Sequence, residues 1–187
     1  MVKNNSGRPI NEALTQSILQ TASALFFQQG YEAVTLVKVA ELSGTSRQAI
    51  YRRWQNKQLL LIDSLHLFSP PALRVQSDLS AKQQLIDYVN YAIRVVEPNP
   101  LAFRNLVCDL QLNLDLHQQF NQRFIVPRAQ LLNQILEQGI RTGELENSLN
   151  INLLINCIHG TIWLRILRCE PFDPQFADDL ITMLLGK

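Results

Sequence analysis

The sequence predicts an all-α protein, and three observations carry that prediction. Apolar residues recur at close to 3.6-residue spacing from Leu14 to Leu185. Glycines, prolines and hydroxyl-bearing residues fall between those stretches, where helices start and stop. No segment shows a convincing two-residue alternation of the kind a half-buried strand needs. The 187 residues, 47% of them hydrophobic, suffice for one large domain or two small ones.

Residues 1–9 are polar and end in Gly7-Arg8-Pro9, a basic arm ahead of the first element. From Asn11 to Gln29, Leu14, Ile18, Ala22, Leu25 and Phe26 mark one face of a helix, with Gly30 at its C′ position. Thr35 is the expected N-cap of a second helix that buries Leu36, Val39 and Ala40, and Gly44 ends it. Thr45 and Ser46 open a third, and Thr45 with Gln48 three residues later fits a capping box. Lys57 to Phe68 reads as a strongly apolar helix stopped by Ser69-Pro70-Pro71, which divides the chain into 9–69 and 70–187. Further helices are expected at Lys82–Val96, Leu101–Leu112, Leu116–Thr142, Asn150–Arg168 and Pro174–Leu185. Pro127 falls inside the third of these and predicts a kink or a split near Val126.

Charge is distributed unevenly. Residues 1–65 carry seven basic side chains (Lys3, Arg8, Lys38, Arg47, Arg52, Arg53, Lys57) against four acids (Glu12, Glu32, Glu41, Asp63), a net of +3, and the remainder carries −2. A basic end on a mildly acidic body suits a polyanion bound at that end. Cys108, Cys157 and Cys169 are odd in number and far apart, which predicts buried free thiols rather than disulfides. No apolar run reaches the roughly 18 residues that cross a bilayer, and the start lacks a secretory h-region, so a cytoplasmic protein is expected. Cys157 and His159, two apart on a helix, point roughly 200° away from each other, a poor chelate. His66 and His117 stand alone, so no metal site or cofactor is expected. No nucleophile-elbow, Walker or Rossmann pattern is present, and an enzyme is not expected.

The stretch Thr35–Lys57 holds two short helices joined by a glycine turn, with donors and cations gathered on the second, the arrangement that places a helix in the DNA major groove. Thr35 and the free amides behind it are a candidate phosphate site. Ser46, Arg47 and Gln48 stand at the entering end of the second helix; Arg47 suits a guanine edge and Gln48 an adenine edge. Tyr51 and Arg52 lie one turn later, Tyr51 suiting either a phosphate or a thymine methyl. Ala49, Ile50 and Trp54 are expected to face inward. Lys57 is a second candidate phosphate clamp, and Arg53, Lys3 and Arg8 are candidate phosphate neutralisers.

The run Ile10–Leu65 resembles the N-terminal domain of TetR-family transcriptional regulators. The resemblance rests on Phe26, Gly30-Tyr31, Thr35, Val39-Ala40, Gly44, Ser46, Tyr51-Arg52, Trp54, Lys57 and Leu60. Ser43 and Thr45 depart from the alanine and valine usual in that family, each adding a hydroxyl beside the packed turn. The resemblance implies a three-helix DNA-binding head joined by a connecting helix to a helical ligand-binding and dimerisation body. It also implies a homodimer through the two C-terminal helices, for which Ile151, Leu154, Ile155, Ile158, Ile162, Ile166, Ala177, Leu180, Ile181 and Leu184 supply an apolar stripe; the same stripe would equally close a monomer core.

Within the body, Tyr88, Tyr91, Phe103, Gln111, Phe120, Phe124, Asn156, His159 and Trp163 combine aromatic and polar groups on helices expected to converge, and form the candidate ligand site. The expected function is a homodimeric regulator of transcription, a repressor released from operator DNA by a small organic inducer. The competing reading keeps the same head but gives the body a protein partner. A cavity of several hundred cubic ångströms would favour the first, and a filled core with an exposed apolar patch the second.

Overall fold

A computed structural model of the protein describes residues 12–65 and 75–186, and all regular structure in them is helical. The Gly7-Arg8-Pro9 arm with Lys3, the stretch from His66 to Phe68 expected to end the fourth helix, and the expected Ser69-Pro70-Pro71 boundary lie outside these residues. The first helix, α1 (Glu12–Gln29), buries Ile18, Leu19, Ala22, Leu25 and Phe26. Gly30 at φ 89° ends it, and its amide donates to the Phe26 carbonyl. A single 3-10 turn, Tyr31–Ala33, follows.

Thr35 caps α2 (Leu36–Leu42), its hydroxyl accepting from the Lys38 amide at 3.1 Å. Gly44 turns the chain at φ 66°, a conformation that costs glycine nothing. The expected capping box at Thr45 and Gln48 does not form, because Ser46, one residue later, takes the N-cap position of α3 (Arg47–Tyr51) and accepts from the Ala49 amide at 3.1 Å. Ser43 is accommodated by its own helix: its hydroxyl donates to the Val39 carbonyl at 2.7 Å. Asn56 caps α4 (Lys57–Leu65) through the Leu59 amide. α1 packs along α4 and α2 on α3, with Ile50 and Trp54 buried between them.

The body consists of α5 (Ala81–Val96), α6 (Pro100–Gln111), α7 (Leu114–Phe120), α8 (Val126–Arg141), α9 (Ile151–Arg168) and α10 (Phe176–Leu185). The long helix expected at Leu116–Thr142 is two, joined by a π-helical turn over Asn121–Ile125. Pro127 explains the break. It has no N–H to bond the Arg123 carbonyl, and its ring would crowd that carbonyl, so the backbone widens ahead of it and Val126 donates to Asn121, five residues back.

α6 ties head to body. Its Phe103 ring meets Phe26 of α1 edge-on, with centroids 5.0 Å apart, and the apolar core runs without interruption from Ile18 to Ile181. The residues expected to form the dimer stripe are mostly core of the protomer: Ile158, Ala177 and Ile181 are fully buried, and Leu154, Ile155, Ile162, Ile166 and Leu180 nearly so. α9 is apolar on more than one face, and its outer face carries Leu153, Cys157, Gly160, Leu164 and Leu167. The thiols also differ from expectation. Cys108 sits on the solvent side of α6 and Cys169 at the left-handed C-cap of α9, both exposed, with Cys157 half-buried.

Candidate nucleic-acid interface and body cavity

The α2–turn–α3 unit presents Thr35, Ser46, Arg47, Gln48, Tyr51 and Arg52 to solvent on the head. Inward-facing Ala49 and Ile50 fix the rotation of α3, which sends its polar side chains outward. Tyr51 is 52% exposed on the same side, with its hydroxyl and ring open to a partner. Among the described residues, Arg47 is held by a surface pair with Glu41 at 3.4 Å. Such pairs contribute about 0–1 kcal/mol, so the guanidinium is free to exchange Glu41 for a stronger acceptor.

Two expected phosphate contacts are more constrained. Arg53 is half-buried, its Nη1 donating to the Ala49 carbonyl at 2.7 Å. The Lys57 ammonium lies 3.8 Å from the centre of the Tyr31 ring and 3.2 Å from Glu32. Lys57 therefore reaches a phosphate only by leaving Glu32, and it already braces the start of α4 against the 3-10 turn.

Behind Lys57, head and body join at a polar node that sequence reasoning missed. The Tyr31 hydroxyl donates to Asp109 of α6, and the Gln58 amide of α4 donates to the same carboxylate oxygen. These hydrogen bonds hold Asp109 below its ordinary carboxylate range, while burial first and Asp109 second push the Tyr31 phenol up. A second link runs through Asp63 of α4: one oxygen accepts from Trp54 Nε1 at 2.9 Å, and the other from Arg123 in the π turn at 2.7 Å. Both acids stood in the sequence as ordinary helix-surface charges, and no local pattern distinguished them.

The body holds a cavity of about 50 Å³ between α5, α6, α8, α9 and the π turn. Of the nine expected residues, Tyr88, Tyr91, Phe103, Phe124, His159 and Trp163 line it. Phe120 stands one layer out, stacked on Phe124 with centroids 5.1 Å apart. Gln111 is exposed at the last turn of α6, and Asn156 lines a surface groove with Ala129 and Asn133, because the cavity lies level with the C-terminal half of α9. Ala92, Val95, Ile125, Ile162 and Ile166 complete much of the wall.

Arg128 also lines it, unforeseen, since a lone arginine in a helix reads as a solvated face; its place four residues after Phe124 was the available signal. Its guanidinium lies 3.5 Å from the Phe124 ring centre, and Nη1 donates to the Phe124 carbonyl at 2.9 Å. Tyr88 and His159 Nε2 are 2.8 Å apart. Burial, with the Arg128 charge adding to it, lowers His159 to about 4, so the imidazole is neutral at pH 7. Burial raises the Tyr88 and Tyr91 phenols, which stay protonated. The Tyr91 hydroxyl is buried with no hydrogen-bond partner among the described residues. Among those residues no group of three or more His, Cys, Asp or Glu is placed to hold a metal ion, and no helix is long and apolar enough to cross a membrane.

Comparison with known proteins addresses both halves. Residues 18–63 match the family described as bacterial regulatory proteins, tetR family, and residues 79–184 match the tetracyclin repressor-like C-terminal domain. The uncharacterised HTH-type transcriptional regulator YdeS of Bacillus subtilis (strain 168) is 31% identical over 182 residues, 96% of this chain and 92% of the relative. The fatty acid metabolism regulator protein of the same organism is 26% identical over 152 residues, 78% and 77% of the two chains. Among solved structures, the TetR family transcription regulator SCO0332 superposes with a TM-score of 0.79 at 22% identity, covering 92% of this chain and 97% of that one. FadR from Bacillus subtilis in complex with stearoyl-CoA gives 0.71 at 20% identity, covering 91% and 97%. At these identities the two structures speak for the fold.

Proposed function

Because the chain belongs to the TetR family of transcriptional regulators, which bind DNA and are not enzymes, we propose that it is a homodimeric repressor released from its operator by a small organic ligand. The observation that carries this reading is the double duty of α6. One of its side chains, Phe103, walls the cavity and packs on Phe26 of the head, and another, Asp109, accepts from Tyr31 and Gln58. A ligand that displaces Phe103 therefore strains the contact that sets the angle of the head. Two heads must reach successive major grooves about 34–36 Å or a multiple apart, so a shift of a few ångströms costs simultaneous contact. The ligand acts by favouring the protomer shape that misses one half-site.

In this reading Arg47 and Gln48 read bases, Ser46, Tyr51 and Arg52 contact the groove or its walls, and Thr35 and Lys57 hold phosphates. Residues 9–69 form the head with its connecting helix, 70–187 form the body, and the protein works in the cytoplasm. The dimer forms through the outer face of α9 with α10. Leu153, Cys157, Gly160, Leu164 and Leu167 alternate by four and three residues, the spacing of a helix-pairing seam. Leu153, Leu164 and Met183 of α10 are 59%, 52% and 71% exposed in the protomer, and nothing lies within 4 Å of a side chain built at Gly160. A glycine inside a helix costs roughly 1 kcal/mol relative to alanine, and close approach of a second helix accounts for it.

The size of the cavity favours the competing reading, in which the body binds a protein partner. About 50 Å³ is well below the roughly 300–1,000 Å³ of common ligand sites, so an inducer of ordinary size must widen it. Selection of bound DNA from a random pool, followed by a screen for small molecules that release it, separates the two. A single enriched palindrome with at least one releasing compound is expected. Enrichment without any releasing compound gives the function to a protein partner.

A further inference from the structure

We propose that the body cavity takes an organic acid as its free carboxylate, the acid group meeting Arg128 and Tyr91 and the apolar remainder lying between the aromatic walls. This rests on the ligand-responsive reading above and names the chemical class of that ligand. The polar groups of the wall are all suited to an anion. Arg128 supplies a guanidinium, and Tyr91 a hydroxyl that is buried without a hydrogen-bond partner among the described residues. Tyr88 supplies a second hydroxyl, and His159 beside it is neutral. No acidic side chain is among the residues that line the cavity.

The Arg128 charge acts on both phenols and on His159, which places all four groups within one electrostatic neighbourhood. A carboxylate there accepts charge-assisted hydrogen bonds, roughly twice as strong as those of a neutral ligand. An amine would be repelled by Arg128. The orientation of the acid follows from the walls. Phe103, Phe124, Ile162 and Ile166 offer it only apolar surface, so its hydrocarbon part faces them. The free acid, rather than an ester, is specified because the binding groups take a terminal oxyanion; a thioester carbonyl in its place carries no charge for Arg128.

The test compares matched acids and alcohols on the full-length protein by titration calorimetry at pH 7, using benzoate against benzyl alcohol and octanoate against octan-1-ol. At least one acid should bind ten-fold or more tightly than its alcohol. Arg128→Met, which keeps the length of the stem over Phe124, should reduce that preference to within about two-fold. Tyr91→Phe should weaken the acid several-fold and leave the alcohol unchanged. The acid–alcohol comparison on the wild-type protein needs no variant, so it stands even where a substitution impairs folding. The proposal is overturned by alcohols binding as tightly as acids, by a preference that survives Arg128→Met, or by no acid binding at millimolar concentration. It is overturned equally if octanoyl-CoA binds more tightly than octanoate with no dependence on Arg128. DNA release measured on the same samples keeps the two readings apart. Alcohols that release DNA would retain the inducer and refute the acid, whereas acids that bind in the stated pattern without changing DNA affinity would do the reverse.

Discussion

The node at Asp109 makes the attachment of head to body measurable. In Asp109→Ala the Tyr31 hydroxyl and the Gln58 amide lose their shared acceptor, although they remain 3.1 Å from each other and retain that bond. Hydrogen bonds to a charged group contribute about 1.5–3 kcal/mol each, but Asp109 is only half-buried, and solvent replaces part of the loss. The expected cost is about 2 kcal/mol, or roughly 4–8 °C in Tm for a chain of this size. Tyr31→Phe alone should cost about 1–2 kcal/mol, and the two changes together about 1 kcal/mol less than their sum, because they remove one interaction. The pH dependence has a definite sign. Asp109 is lowered in the folded state, so its contribution is complete above the ordinary aspartate value near 3.9 and fades as pH falls through the lower folded value. The wild-type and Asp109→Ala midpoints should therefore begin to converge once pH falls below about 4 and draw closer as it falls further. Chemical denaturation of the four proteins at pH 7 and pH 3.5 measures all of this. Strict additivity at pH 7, or a gap unchanged at low pH, would refute the reasoning.

Other expectations follow from the head, the outer face of α9 and the cavity. Arg47→Ala should cost about 1–3 kcal/mol per base contact and relax preference at one position per half-site. Lys57→Ala should weaken all sequences alike and lower the salt slope by about one per contact; competition with single-base operator variants distinguishes the two, and reversed patterns would exchange reader and clamp. Leu164→Glu should yield folded monomers in sedimentation, since Leu164 is 52% exposed in the protomer; a persistent dimer would place the interface elsewhere. His159 is lowered to about 4, so the native state resists protonation that the unfolded chain accepts at about 6.5, and stability should fall with pH between those values. At 1.36 kcal/mol per unit the loss is about 3 kcal/mol at most, and His159→Phe should remove that slope from acid denaturation curves.

The helices were legible because local chemistry marks their ends: Thr35, Gly44 and Gly30 each perform the terminal role their residue type suggests. What periodicity could not assign was which apolar face meets which neighbour. α9 has apolar residues on more than one side, so Ile158 and Ile162 carried the same signal as Leu164 although they point into the protomer. Six of the nine residues expected to converge do line the cavity, because aromatics on converging helices meet somewhere. Asp109 and Asp63 were not foreseen, since their partners lie outside their own helices, and Arg128 was not, since the cavity it lines is closed by other helices; a charge acquires its role only from what packs against it.

The π turn over Asn121–Ile125 stores one residue more than a continuous α-helix would need, and Pro127 is what keeps it there. Loss of one residue from its first half would let α7 and α8 join as a straight α-helix and shorten no loop. Each residue in such a helix advances the chain by about 100° around the axis. Because the widened turn already absorbs that extra step, α8 would keep its face, and Arg128 would still point toward Tyr88 and His159. Pro127 would also sit in an unbroken helix with its ring against the preceding turn. A gene encoding this protein could drop a codon there and keep its cavity only by replacing that proline as well.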